Sequence, residues 1–140
     1  GVSDPGNELV REVRDRLHGE VTIEAIPGPA ALTAALSIAG MPTHEFTFLG
    51  FLPHKKGRQT LFREIADASR AMVFYESPHR IEKALQSLAE TLPEERKVSI
   101  LRELTKMHES VVEGTAREVK EYFDTHSGEV RGEFVVIVAP

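Results

Sequence analysis

Apolar residues occur along this chain in two patterns, as short runs and at helical spacing. The runs predict strands over residues 46–52, 71–75, 97–101, 110–113 and 132–138. Apolar residues three and four apart predict helices over residues 7–18, 29–39 and 58–69, after Ser77, and after Gly114. Strands that alternate with helices in this way indicate an α/β protein with a largely parallel or mixed sheet and helices on both faces.

Two further predictions concern the segment that precedes the first long strand. Val21, Ile23 and Ile26 predict a short strand of their own. The helix over residues 29–39 is apolar nearly all round, and we therefore expect it to be deeply buried. Before it, Gly28 allows the backbone to turn tightly or to approach a ligand closely.

Polar residues fill the junction where the strand over residues 71–75 runs into the next helix. Ser77 has the chemistry of a helix N-cap, and Pro78 fits the first helical position, where no amide donor is needed. The junction lies at the carboxyl end of a buried strand, where open α/β sheets bind ligands and the first-turn amides favour an anion. A capped helix with an exposed polar start explains the same residues without a ligand.

Three polar clusters follow predicted strands, at residues 54–58, 76–80 and 102–106. Each cluster alone is adequately explained as a solvated loop. In a parallel sheet, however, the carboxyl ends of the strands meet at one edge, so the three clusters can converge. Because Arg and Lys bind phosphate well, their repetition indicates a shared anionic ligand.

Composition narrows the function classes only moderately. The 140 residues are 41% hydrophobic and 28% charged, as in an ordinary globular domain, and the net charge of −5 restricts any nucleic-acid contact to local basic patches. The absence of cysteine excludes disulfides and thiolate chemistry and fits a cytoplasmic location. No apolar run approaches the ~20 residues of a membrane span. Glu76 and His79 lack a second ligand cluster, so no metal site is predicted.

The motifs of this chain, in their order, resemble the ribosomal RNA small subunit methyltransferase I family. That family belongs to the tetrapyrrole-methylase-like group of S-adenosylmethionine methyltransferases. FYESPHR at residues 74–80 and RELTK at 102–106 are specific to it. The other matching stretches are SDPG at 3–6, IPGPAA at 26–31, GFLP at 50–53 with Lys55 and Lys56, Glu109, and Gly132 with Glu133.

The resemblance implies two α/β domains with the cofactor in the cleft between them. Residues 1–41 would then be the tail of the amino-terminal, cofactor-binding domain, and residues 42–140 the carboxy-terminal domain. The chain has no initiator Met, so we expect a fragment that lacks most of the first domain and is inactive alone. We also expect a homodimer.

The resemblance further implies a reaction, in which a methyl group passes from S-adenosyl-L-methionine to the ribose 2′-oxygen of a cytidine in 16S ribosomal RNA of the small ribosomal subunit. By the same resemblance, the cofactor should contact the turn before the second helix, two strand ends and the last strand. The residues concerned are Gly28, Ala30, Ala31, Phe74, Tyr75 and Arg102.

The residue types present fit such a reaction. A ribose hydroxyl is a weak acid, so its attack gains from a base or from electrostatic help. The available groups are Glu76, His79, Arg80, Glu103 and Lys106. Lys55, Lys56 and Arg58 are expected to position RNA through its phosphates. RNA bases could stack on Phe51 or Tyr75, although both are expected in the core.

We also make a specific prediction about the partner of Arg80. A basic residue in the first turn of a helix opposes the helix dipole, so an anionic partner, either Glu103 or an RNA phosphate, should compensate it. We expect Arg80→Ala and His79→Ala to leave the fold intact and to lower methyl transfer on the order of 10²-fold.

Two other functions fit the same sequence. One keeps the fold and replaces the RNA by a tetrapyrrole acceptor, although the basic loop after Pro53 and the FYESPHR stretch favour RNA. The other is a non-catalytic domain for dimerisation and substrate docking.

Overall fold

The computed structural model describes residues 6–140, so the predicted turn and caps at Ser3, Asp4 and Pro5 lie outside the described residues. Five α-helices are present within this range: α1 (Asn7–Arg16), α2 (Ala31–Ile38), α3 (Arg58–Asp67), α4 (Ile81–Thr91) and α5 (Ala116–Thr125). A short 3-10 helix covers Ser127–Glu129. The strands are β1 (Phe46–Phe51), β2 (Ala71–Glu76), β3 (Lys97–Arg102), β4 (Ser110–Thr115) and β5 (Phe134–Val138). No described helix has the length and apolar character needed to cross a membrane.

The strands form one mixed sheet in the order β1-β2-β5-β3-β4. β1 and β2 are parallel, and β5 lies antiparallel between β2 and β3. β1, β2 and β3 therefore point in one direction, and Glu76 and Arg102 both pair with Phe134 at the same edge. The predicted convergence of the three strand ends is confirmed at the level of topology.

Helices cover both faces of the sheet, as predicted. On one face, α3, α4 and α5 pack against alternate strand residues that include Phe74, Ile100 and Val136. On the other face, α2 packs against Val73, Leu101 and Ile137. Because both faces are covered, the central strands read as continuous apolar runs.

The predicted strand at Val21, Ile23 and Ile26 is wrong. Residues 21–30 have no regular secondary structure and pair with no strand among the described residues, and Ile26 is 84% exposed. A strand requires a neighbour for its backbone hydrogen bonds, and β1–β5 all lie elsewhere.

The deep burial predicted for the second helix is also wrong. Only Ala35 within α2 is fully buried, and Ile38 is 50% exposed. The helix lies on one face of the sheet, which covers one side of it, and no other described element covers the opposite side.

α4 begins later than predicted, at Ile81, and Ser77 is not its cap. Residues 77–80 form a turn in which the amides of Arg80 and Ile81 both donate to the Ser77 carbonyl at 3.0 Å. The Ser77 hydroxyl accepts from the Arg80 guanidinium instead of a first-turn amide. The helix after Gly114 does begin as predicted, because Thr115 and Glu118 form a reciprocal capping box.

Candidate functional site

A cavity of about 860 Å³ opens at the carboxyl edge of the sheet, between the start of α2 and the ends of β2 and β3. Its walls combine the turn at the start of α2 with apolar strand ends and a few polar groups. The lining residues are Pro29, Ala30, Ala31, Leu32, Thr33, Phe51, Tyr75, Glu76, Ser77, Pro78, Leu101, Leu104, Glu133, Phe134 and Val135.

Tyr75 holds the start of α2 against the sheet. Its hydroxyl accepts a hydrogen bond of 3.0 Å from the Leu32 amide, one of the amides in the first turn that have no partner within the helix. Since Tyr75 lies on β2, this contact fixes the turn at Ala30 and Ala31 over the strand ends.

Glu76 lies at the centre of a buried ion cluster. Its carboxylate is 1% exposed and receives the Arg80 guanidinium at 2.8 Å, the Arg58 guanidinium at 3.3 Å and the Ser77 amide at 2.9 Å. Both arginines also donate to carbonyls at the end of β1, Arg80 to Leu52 and Arg58 to Pro53. The cluster therefore ties the end of β1 to the end of β2.

These contacts correct the sequence expectations for two arginines. Within the described residues, the anionic partner of Arg80 is Glu76, four residues earlier, and not Glu103. Arg58 is not a free cation in the basic loop, because it binds Glu76 and lies over the Phe62 ring. Charged donors occupy both oxygens of Glu76, so its geometry fits an anchor better than a proton acceptor.

A second ion cluster follows β3. Lys106 contacts Glu103 at 2.8 Å and Glu133 at 3.0 Å, and the Glu133 amide donates to the Glu103 carboxylate at 2.9 Å. The hydrogen bond from Lys106 and that from the Glu133 amide lower the pKa of Glu103, and the same carboxylates raise the pKa of Lys106. The Lys106 amine is thus held as a cation beside the cavity wall, which suits electrostatic help and not proton abstraction.

Gly132 explains why this cluster is so compact. Its φ is +84°, and a Cβ at this position would lie 2.3 Å from the Glu103 carboxyl carbon. Any side chain here would push the Glu103 carboxylate away, so the Gly132-Glu133 pair and the RELTK stretch form one structural unit.

The structure brings together some of the predicted site residues and separates others. Ala30, Ala31, Tyr75 and Glu76 line the cavity, and Lys106 reaches it through Glu133. The cavity lining does not include Gly28, Phe74, His79, Arg102, Lys55 or Lys56.

Two of the separated residues have other roles. Phe74 is fully buried in the core on the opposite face of the sheet, because neighbouring strand residues point to opposite faces. Arg102 donates to the Arg131 and His108 carbonyls and so joins the loops around β3. His79, Lys55 and Lys56 are exposed.

The apolar wall of the site is formed by Leu101, Leu104 and Val135. Sequence reasoning included the last strand, on which Val135 lies, but missed Leu101 and Leu104. The available signal was position, because Leu101 and Val135 lie near the strand ends at the edge that carries the polar clusters. Among residues 6–140, no group of three His, Asp or Glu side chains is placed to hold a metal ion.

Comparison with protein families gives a match to the model of the Tetrapyrrole (Corrin/Porphyrin) Methylases over residues 1–120. Two similar curated proteins are both named ribosomal RNA small subunit methyltransferase I. The one from Xylella fastidiosa strain Temecula1 is 40% identical over 98% of this chain and 50% of its own length. The one from Vibrio cholerae is 41% identical over 98% of this chain and 47% of its own length. The chain thus spans about half the length of the curated relatives it matches.

Solved structures share the fold. The methyltransferase CobJ superposes with a TM-score of 0.69 at 23% identity, over 99% of this chain and 60% of that one. Uroporphyrin-III C-methyl transferase from Thermus thermophilus, complexed with S-adenyl homocysteine, gives a TM-score of 0.60 at 19% identity, over 96% of this chain and 58% of that one. The fold resemblance predicted from the motifs is confirmed.

Proposed function

Because the chain belongs to the tetrapyrrole methylase family, we propose that it forms part of an S-adenosylmethionine-dependent methyltransferase acting on the ribose 2′-oxygen of a cytidine in small-subunit ribosomal RNA. One observation carries the proposal: the turn at Ala30 and Ala31, the junction at Tyr75 and Glu76, and the Glu103–Lys106 cluster meet around one cavity. The names of the similar proteins support RNA over a tetrapyrrole as the acceptor.

The cavity suits a group of the size and chemistry of an adenosyl cofactor. Its volume of about 860 Å³ lies in the range of small-molecule sites, and its lining is mainly apolar with few polar groups. Ala30, Ala31, Tyr75 and Leu101 would hold the cofactor. When bound, S-adenosylmethionine supplies an electrophilic methyl group on its sulfonium.

The remaining groups of the site are assigned to the RNA. The Lys106 cation, held between Glu103 and Glu133, is placed to stabilise charge on the ribose oxygen. His79, exposed in the turn after β2, is the remaining candidate proton acceptor. Lys55 and Lys56 lie exposed beyond the end of β1 and supply phosphate contacts.

We further propose the division into residues 1–41 and 42–140 implied by the resemblance. The sheet begins at β1, and residues 21–30 pair with none of its strands, whereas α2 after them packs on one face of that sheet. The lack of strand pairing at residues 21–30 is the observation that favours a boundary near the start of the sheet.

Methyl transfer tests the proposal directly. The complete protein that carries this chain should transfer labelled methyl from S-adenosylmethionine to small-subunit ribosomal RNA. The product should resist alkaline cleavage at the modified nucleotide, because that cleavage needs a free 2′-hydroxyl. The 140-residue chain, expected to be inactive alone, is the control. Label on a tetrapyrrole and not on RNA, or alkali-sensitive product, would contradict the proposal.

The exposed lysines give a second test, by salt dependence. Lys55→Ala combined with Lys56→Ala should weaken RNA binding and reduce the slope of log K against log salt by about 1.4, at roughly 0.7 for each phosphate that is no longer neutralised. Binding is measured by fluorescence anisotropy across a salt series.

The matched control for these lysines is Arg70→Ala combined with Lys97→Ala. It removes the same charge at the opposite edge of the sheet and should leave the slope unchanged. Equal slopes for the two double variants would show that the loop is ordinary solvated surface.

A further inference from the structure

β1 contains an irregularity that changes the direction of one side chain. Phe48 pairs with Val73 and Phe51 pairs with Tyr75, so three steps along β1 match two along β2. Gly50 within this bulge has a φ of +64°, a backbone conformation that favours glycine. In a regular strand, residues 48 and 51 would lie on opposite faces. The bulge instead brings both rings onto Tyr75, with centroid distances of 4.9 and 5.5 Å.

The bulge places Phe51 on the wall of the cavity and leaves it 55% exposed. Bulges near active sites commonly redirect a side chain toward the ligand. The expectation that Phe51 belongs to the core is therefore wrong, whereas Tyr75 beneath it is half-buried. The Phe51 ring therefore packs against the Tyr75 ring and also lines the cavity.

The residues that follow Phe51 are first anchored by hydrogen bonds to arginine side chains, and the next residues are basic. Leu52 is buried, and its carbonyl accepts from Arg80, while the Pro53 carbonyl accepts from Arg58. The exposed Lys55 and Lys56 follow at once. A fixed aromatic ring beside a cationic loop is the combination with which proteins bind single-stranded nucleic acid, by stacking the base and neutralising the phosphate.

We infer that Phe51 stacks on a nucleobase of the RNA substrate, in a single-stranded or flipped-out segment whose phosphates lie along Lys55 and Lys56. This inference rests on the proposed function and adds to it the residue that holds the base. The cofactor is assigned to the side of the cavity formed by α2, whereas Phe51 lies on the edge strand that leads into the basic loop.

The test is made in the complete protein that carries this chain. It measures binding of a short single-stranded RNA that carries one 2-aminopurine, whose fluorescence falls when it stacks. Phe51→Leu keeps an apolar side chain but removes the ring, and should weaken binding about tenfold and abolish the quenching. Phe51→Trp should retain both. Phe46→Leu, at the other end of β1 and also exposed, is the matched control and should bind as the unmodified complete protein does.

An RNA with an abasic site in place of 2-aminopurine completes the design. It should bind the unmodified complete protein about tenfold more weakly and should bind Phe51→Leu no more weakly than the intact RNA does. Tight RNA binding that is identical in Phe51→Leu would overturn the stacking role and leave the RNA function standing. No RNA binding by the unmodified complete protein would overturn both.

Loss of S-adenosylmethionine binding in Phe51→Leu, with RNA binding intact, would assign the ring to the cofactor and also overturn the inference. Thermal melting of each variant separates these results from loss of folding. If Phe51→Leu melts early, Phe51→Trp must still bind RNA at least as tightly as the unmodified complete protein, or the inference fails.

Discussion

Glu76→Gln is expected to lower the free energy of unfolding by about 3–5 kcal/mol, the cost of breaking a buried ion pair from one side. The carboxylate is fully buried, and the two guanidinium groups that it binds are themselves mostly buried. Glutamine keeps the shape but not the charge, so Arg58 and Arg80 would remain as uncompensated cations. Urea unfolding followed by circular dichroism measures the change.

His79→Ala is the matched control for this prediction. His79 lies in the same turn but is exposed, so its replacement should leave the unfolding midpoint unchanged. Arg80→Ala, in contrast, should destabilise the protein, which reverses the expectation drawn from the sequence. If Glu76→Gln and Arg80→Ala both unfold at the midpoint of the unmodified chain, the cluster is not an anchor of the strand ends.

Prediction from the sequence succeeded where the signal was local or followed from topology. The apolar runs located β1–β5, and the spacing of Thr115 and Glu118 identified a capping box that the structure contains. The convergence of the polar clusters followed from strand direction alone, because β1, β2 and β3 point the same way.

The sequence could not assign partners to the charged residues. Glu76 and Arg80 are four residues apart, as are many pairs that never meet, and Arg58 is brought to them only by the packing of α3 beside β2. The sequence therefore predicts that all three face RNA or the reacting atoms. In the structure their first contacts are with one another.

The sequence also does not show which face of the sheet each strand residue occupies, and the reason is different. Both sides of the central sheet are covered, so the run at residues 71–75 is apolar throughout and lacks the alternation that marks an exposed face. Phe74 and Tyr75 consequently look alike in the sequence, although only Tyr75 reaches the cavity. The exposure of Phe51 is equally hidden, because a bulge changes the alternation within β1.

The contribution of Arg96 to stability could not be predicted from the sequence either, because no local pattern marks this residue. It is 8% exposed and donates to the Ala66 and Ala68 carbonyls at the end of α3 and to the Ala139 carbonyl beyond β5. Burial lowers the pKa of Arg96, and the charge of Asp67 partly opposes this effect. The guanidinium thus fastens α3 to the last residues of the chain.

Arg96→Met is expected to destabilise the protein by about 3 kcal/mol, because three carbonyl groups lose a charged donor and two of them terminate a helix. Arg96→Lys should recover only part of this loss, since an ammonium group cannot reproduce the planar fork that reaches three acceptors. Arg63→Met, on the exposed side of α3, is the control and should change stability by less than about 0.5 kcal/mol. Urea unfolding of the three variants measures these changes. Equal stability of Arg96→Met and Arg63→Met would contradict the prediction, because it would mean that water replaces the guanidinium at no cost. The contact between α3 and the end of β5 would then depend on apolar packing alone.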